Sequence, residues 1–233
     1  MDDARESEPD DSRALARVLA FPVGRSGTRR RRRRDAPASQ PVRSSLGPER
    51  RLTIVRVAIE APVSSEPPAD DADLIDPLRH AAHDVVTTLL LAGADDISLE
   101  GTPSRPVVVA SFDGADHAHR ALSAAASTAR KLDGRSLGRP RFEARTGVHT
   151  ASVMDLVVGG NDPMPFRAVG TLYALAERLQ QAAEPGEILL SGDTLGHVTS
   201  LAAVDPRGRV PLNDHGEARD AYSLLALRAG DGA

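Results

Sequence analysis

Histidines and paired carboxylates are the side chains here that could bind metals and move protons near neutral pH. His149 stands in the segment Thr146-Gly147-Val148-His149-Thr150, where an imidazole is either a metal ligand or a structural hydrogen-bonding group. His80 and His83 are three residues apart, so one helix face could present both to a metal. No third partner is evident, which favours a solvated helix face. His117 and His119 fall on different faces of one expected helix. Asp95-Asp96 has the form of an acid pair, but it follows Gly93 and reads more simply as a turn. Gly159-Gly160-Asn161-Asp162 has the look of a phosphate loop. No lysine or helix start follows in the required register, so a hairpin loop is expected. Six consecutive arginines, Arg29-Arg30-Arg31-Arg32-Arg33-Arg34, could contact anionic lipid or nucleic acid, or remain a solvated tail.

Composition removes other chemistries. The chain has no cysteine, which excludes disulfides, thiolate nucleophiles and sulfur-ligated zinc. Aromatics are 3% of its residues, too few for the stacking platforms that hold single-stranded nucleic acid. The core must therefore come from Val, Leu, Ile and Ala. No apolar run is long enough for a transmembrane helix. The formal net charge is -4, yet the arginine run makes the first 50 residues net positive.

These residues need elements to position them. Residues 1–51 read as a disordered tail: an acidic start, a short apolar stretch ending at Pro22, the arginine run, and a Pro/Ser-rich linker. The charge follows the apolar stretch rather than preceding it. No export signal is read, and a cytoplasmic location is expected. From Leu52 to Ile59 a β-branched run predicts a strand. Leu74, Ile75, Leu78, Ala82, Val85, Val86, Leu89 and Leu90 recur at helical spacing up to Gly93. Strands are expected at Ile97-Ser98-Leu99 and over 107–112, then a helix over 115–131 capped by Asp113. Segments 142–150 and 152–158 read as two strands joined by a tight turn. Leu172, Leu175, Ala176 and Leu179 form a further helical stripe. A strand at Ile188-Leu189-Leu190, a short helix capped by Ser191, and two closing strands complete the pattern. The order predicts an α+β, ferredoxin-like (split βαβ) sheet with helices on one face, over residues 52–228.

Three segments then carry a resemblance. Arg145-Thr146-Gly147-Val148-His149-Thr150, Gly170-Thr171-Leu172-Tyr173-Ala174-Leu175-Ala176-Glu177-Arg178-Leu179, and Ala183-Glu184-Pro185-Gly186-Glu187-Ile188-Leu189-Leu190-Ser191 stand in order. Together they resemble the catalytic domains of class III adenylate and guanylate cyclases. The resemblance implies a nucleotidyl-cyclase-like domain with two metal-binding aspartates. Their positions here are Ala58 and Pro106, neither of which offers a side-chain ligand. Glu60 shares a strand face with Ala58 but is displaced by about 6–7 Å. The base-recognition positions fall at Thr102 and Arg167, and the interface helix has Ala174 for its usual asparagine. Of that set only Arg178 is retained.

The expectation is therefore a degenerate cyclase-homology domain: a regulatory or dimerisation module, nucleotide-sensing through Arg178, with no cofactor. Leu172, Leu175, Ala176 and Leu179 are expected at the dimer interface that the resemblance implies. One alternative is a subunit of a heterodimeric cyclase that supplies Arg178, with Mg²⁺ or Mn²⁺ held by a cyclase-like partner. Another is a protein that binds anionic lipid or nucleic acid through the arginine run.

Overall fold

The computed structural model describes residues 44–61, 72–133, 142–158, 164–167, 170–211 and 217–228. The arginine run and Gly159 to Asp162 lie outside them.

The described elements are β1 (Ser44–Glu60), α1 (Ala72–Leu91), β2 (Asp96–Thr102), β3 (Arg105–Phe112), α2 (His117–Leu132) and β4 (Glu143–Val158). They continue with β5 (Met164–Arg167), α3 (Gly170–Ala182), β6 (Ile188–Ser191), α4 (Gly192–Val198), β7 (Ala202–Pro211) and β8 (Ala218–Leu227). The sheet order is β2-β3-β1-β4-β6-β8-β7, with β5 paired to β4. The first four strands are mutually antiparallel, and β3 lies between β1 and β2. That is the split βαβ arrangement expected from the sequence. The β4–β6 pair is parallel, and α3 makes the crossover.

Alternation along β1 sorts the core onto two faces. Val55, Val57 and Ile59 pack with Leu78, Val85 and Leu89 of α1 and Ala121, Leu122 and Ala125 of α2. Leu52 and Ile54 face the other way and pack with Leu172 and Ala176 of α3. Leu175 and Leu179 join Leu189, Val210 and Ala221 beside them. Helices thus cover both faces, where one was expected. All four residues of the α3 stripe are at most 2% exposed in the single chain. They are core residues, so the expectation of a dimer interface at Leu172, Leu175, Ala176 and Leu179 is corrected. A helical stripe reports that a face is buried, and the sequence does not say against what.

Gly147 sets how closely α3 approaches. A Cβ there would overlap the Ala176 carbonyl oxygen and lie 2.5 Å from Gln180 N. The α3 backbone therefore rests directly on β4, a contact only glycine permits.

Three further boundaries differ from the sequence reading. β1 begins at Ser44, inside the segment assigned to the tail, and pairs with β4 from that point. β4 runs unbroken where two strands were expected, because its long partner β1 continues alongside it. Asp113 does not cap α2; the N-cap is Asp116, at a left-handed φ of 55°. Asp113 instead pairs with Arg50 at 2.8 Å. Asp95 lies in the expected turn and accepts the Asp113 N–H at 2.7 Å.

Two substitutions test this packing. Gly147→Ala forces α3 off β4 and should lower the unfolding free energy by about 2–3 kcal/mol in urea titration. Leu179→Ala should cost about 2–5 kcal/mol by cavity formation while leaving the sedimentation coefficient unchanged. Full stability with a shifted oligomeric state would restore Leu179 to an interface.

Candidate functional site

The positions that the resemblance assigns to metal ligands lie at the open end of the β1–β3 ladder. Ala58 pairs with Val107 on one side and Arg145 on the other. Glu100 pairs with Val107 in turn, so Glu100, Val107, Ala58 and Arg145 form one row across four strands. By alternation from Ile54, this row faces α3. Pro106 precedes the register partner of Ala58, so it belongs to the opposite face and is buried. Thr102 is exposed at the end of β2, its Oγ1 3.2 Å from Ser104 Oγ. Arg167 lies in β5, paired with Asp155.

Charge around Ala58 is already balanced by side chains. Arg145 donates from Nε to Glu60 at 3.0 Å and from Nη1 to the Ala183 carbonyl at 2.7 Å. It thereby ties the candidate substitute carboxylate to the chain just after α3. Arg56 donates to Glu100 at 2.6 Å and lies 3.5 Å from Glu177 of α3. A divalent cation beside Ala58 would meet two guanidinium groups and three carboxylates already engaged with them. The residues present do not fit a two-metal site. Among the described residues, no three of His, Asp and Glu converge on a metal position. His80 and His83 are both exposed on α1.

The α3 face turned away from the core carries Thr171, Ala174, Arg178 and Gln181, all exposed. Arg178 is thus outward on the helix that the resemblance assigns to nucleotide contact.

The other motif residues hold the fold together. His149 is 6% exposed, and its Nδ1 lies 2.8 Å from Ser191 Oγ. Ser191 caps α4 as expected, accepting the Thr194 N–H at 3.2 Å. Burial pushes the His149 pKa down to about 4, against a smaller opposing effect of Asp193. Gly186 turns the chain at φ 82°, and the Glu187 carboxylate accepts the Glu184 N–H at 2.8 Å. Arg207 of β7 clamps both Glu184, at 2.8 Å, and Glu187, at 2.9 Å. His117 is buried beside Thr53, with Nδ1 to Oγ1 2.7 Å, and its ring stands edge-on to His197 at 5.1 Å. Burial first, and then His197, lower its pKa.

Sequence reasoning missed a cavity of about 280 Å³ between the start of α3, β4, α4 and β8. His149, Asp193 and Arg219 line it. Asp193 and Arg219 lie in no motif, and only the sheet order brings them together.

No known family's sequence profile matches the chain, and no curated protein matches it. Solved structures do. The adenylyl cyclase CyaB from P. aeruginosa superposes with TM-score 0.59 at 20% identity, over 82% of this chain and 100% of that one. The dimeric guanylyl cyclase domain of the RhoGC fusion protein from Blastocladiella emersonii gives 0.54 at 17%, over 78% and 100%. The guanylate cyclase domain of RhGC from Catenaria anguillulae, in complex with GTP, gives 0.56 at 18%, over 78% and 100%. At these identities the likeness establishes a cyclase catalytic-domain fold. What the site does rests on this chain's own residues.

The depressed His149 pKa has a pH consequence. Between about pH 6.5 and 4 the unfolded chain binds the imidazole proton and the folded chain does not. Stability from the neutral ring is complete above the unfolded value and is lost as pH falls toward 4, by about 3 kcal/mol at most. Urea midpoints should fall from pH 7 to 5, and His149→Gln should flatten that slope. An equal slope in both proteins would contradict the assignment.

Proposed function

We propose that this chain is a regulatory module with a cyclase fold that does not itself cyclise nucleotides. The observation that carries this reading is the row through Ala58. Where class III cyclases use a metal-binding aspartate, this chain has an alanine beside Arg56 and Arg145, with Pro106 on the other sheet face. Phosphoryl transfer relies on metal ions to neutralise developing charge, and fixed guanidinium groups in ion pairs do not generate the nucleophile.

The proposed role is association with a second copy or a cyclase-like partner, with a nucleotide contacted by Arg178. The dimeric state of the Blastocladiella domain and the GTP bound to the Catenaria domain support this by analogy. With the apolar stripe in the core, α3 contributes Thr171, Ala174, Arg178 and Gln181 to such a contact. That surface is polar, so association through it is weak and sensitive to salt.

A second reading is favoured by the outward position of Arg178. The chain would be one half of a heterodimeric cyclase, whose partner holds the Mg²⁺ or Mn²⁺ while this half supplies the guanidinium. Ala174, one turn before Arg178, lacks the amide that the resemblance expects beside it.

Assay of the full-length chain with ATP or GTP and either Mn²⁺ or Mg²⁺ separates the readings. No cyclic product should form above the protein-free background. Product that forms with the wild-type chain and is lost in Arg178→Ala would overturn the regulatory reading and establish an enzyme.

A further inference from the structure

The cavity beside His149 presents an uncommon charge arrangement. Asp193, in the first turn of α4, and Arg219, in β8, both line it. Among the described residues, neither side chain forms an ion pair or hydrogen bond, with the other or with any neighbour. Two opposite charges at one cavity would ordinarily pair if they could reach each other. Here they do not pair, although both border the same cavity.

The remaining lining fits a small polar guest. His149 is buried, Ser191 engages its Nδ1, and the residue lines the cavity. Thr171 and Ser152 add hydroxyl groups, and Leu175 supplies an apolar wall. Thr171 lies in the first turn of α3, where the helix dipole favours an anionic group. The volume of about 280 Å³ lies at the lower edge for ligand pockets and is too small to enclose a nucleotide.

We propose that this cavity binds a small zwitterion of amino-acid size. Its cationic end faces Asp193, its carboxylate faces Arg219 and the start of α3, and its polar groups meet His149 and Ser152. The inference does not depend on the cyclase reading: it uses neither Ala58, Pro106 nor Arg178, and either can fail while the other stands.

The test is calorimetric titration of the full-length chain with L-serine, and with acetate and methylammonium as its two halves. In parallel, the His149 ring resonances are followed by NMR, assigned by comparison with His149→Gln. L-Serine should bind and shift those resonances, each half should bind at least tenfold more weakly, and Asp193→Asn and Arg219→Gln should each weaken L-serine at least tenfold. Both side chains are exposed, and matching thermal melts would show that the variants fold. Absence of heat and of resonance shifts with L-serine would overturn the proposal. So would acetate binding as tightly as L-serine and unaffected by Asp193→Asn, which would define a plain anion site. L-Serine binding unchanged in both variants would place the ligand elsewhere.

Discussion

The contact between Gly147 and the backbone of α3 organises this molecule. Because β4 has no side chain there, α3 lies flat on the sheet, with Ala176 and Gln180 against the strand. That approach turns Leu172, Leu175, Ala176 and Leu179 into the core and leaves Thr171, Ala174 and Arg178 outside. Both ends of α3 are fixed relative to the sheet as a result. Arg145 reaches the Ala183 carbonyl just past its C-terminus, and Thr171 in its first turn borders the cavity of His149. A longer distance between helix and strand would undo each of these at once.

On the same sheet face, charged side chains pair with one another. Arg56 and Arg145 hold Glu100, Glu177 and Glu60 in ion pairs around a row whose centre is Ala58. Arg56 is largely shielded from solvent, so its pairs are screened less than ordinary surface bridges. The network stitches β1 to β2, β4 and α3. A metal-dependent site needs carboxylates free to ligate, and these are committed to guanidinium groups.

The sequence made the fold legible because the resembling segments are its fasteners. Gly147 admits α3, Arg145 ties Glu60 to the end of that helix, Gly186 makes the turn, and Ser191 caps α4 and holds His149. Each of these residue types has a local structural meaning, so element order and the split βαβ arrangement could be read from them. Other features were not legible for physical reasons. The α3 stripe shows a buried face without naming what buries it, which is how a core came to be expected as an interface. β4 was divided at a point where its own sequence breaks rhythm, although its pairing with β1 carries it through. Asp113 has the chemistry of a cap, but Arg50, far away in sequence, claims its carboxylate. Asp193 stands in α4 and Arg219 in β8, and only the β4-β6-β8 order brings them to one cavity.

The central proposal is that this cyclase-like fold carries ion pairs at the row where the resemblance places a metal ligand. The most direct measurement is a Mn²⁺ titration of the full-length, isotope-labelled chain in the presence of a non-hydrolysable ATP analogue, read as paramagnetic broadening of backbone amides. The account predicts no selective broadening of Ala58, Glu60, Val107 or Arg145. Broadening centred on Glu60 and Ala58 that saturates with Mn²⁺ would contradict it, because the ion pair between Glu60 and Arg145 would then have opened to admit a cation.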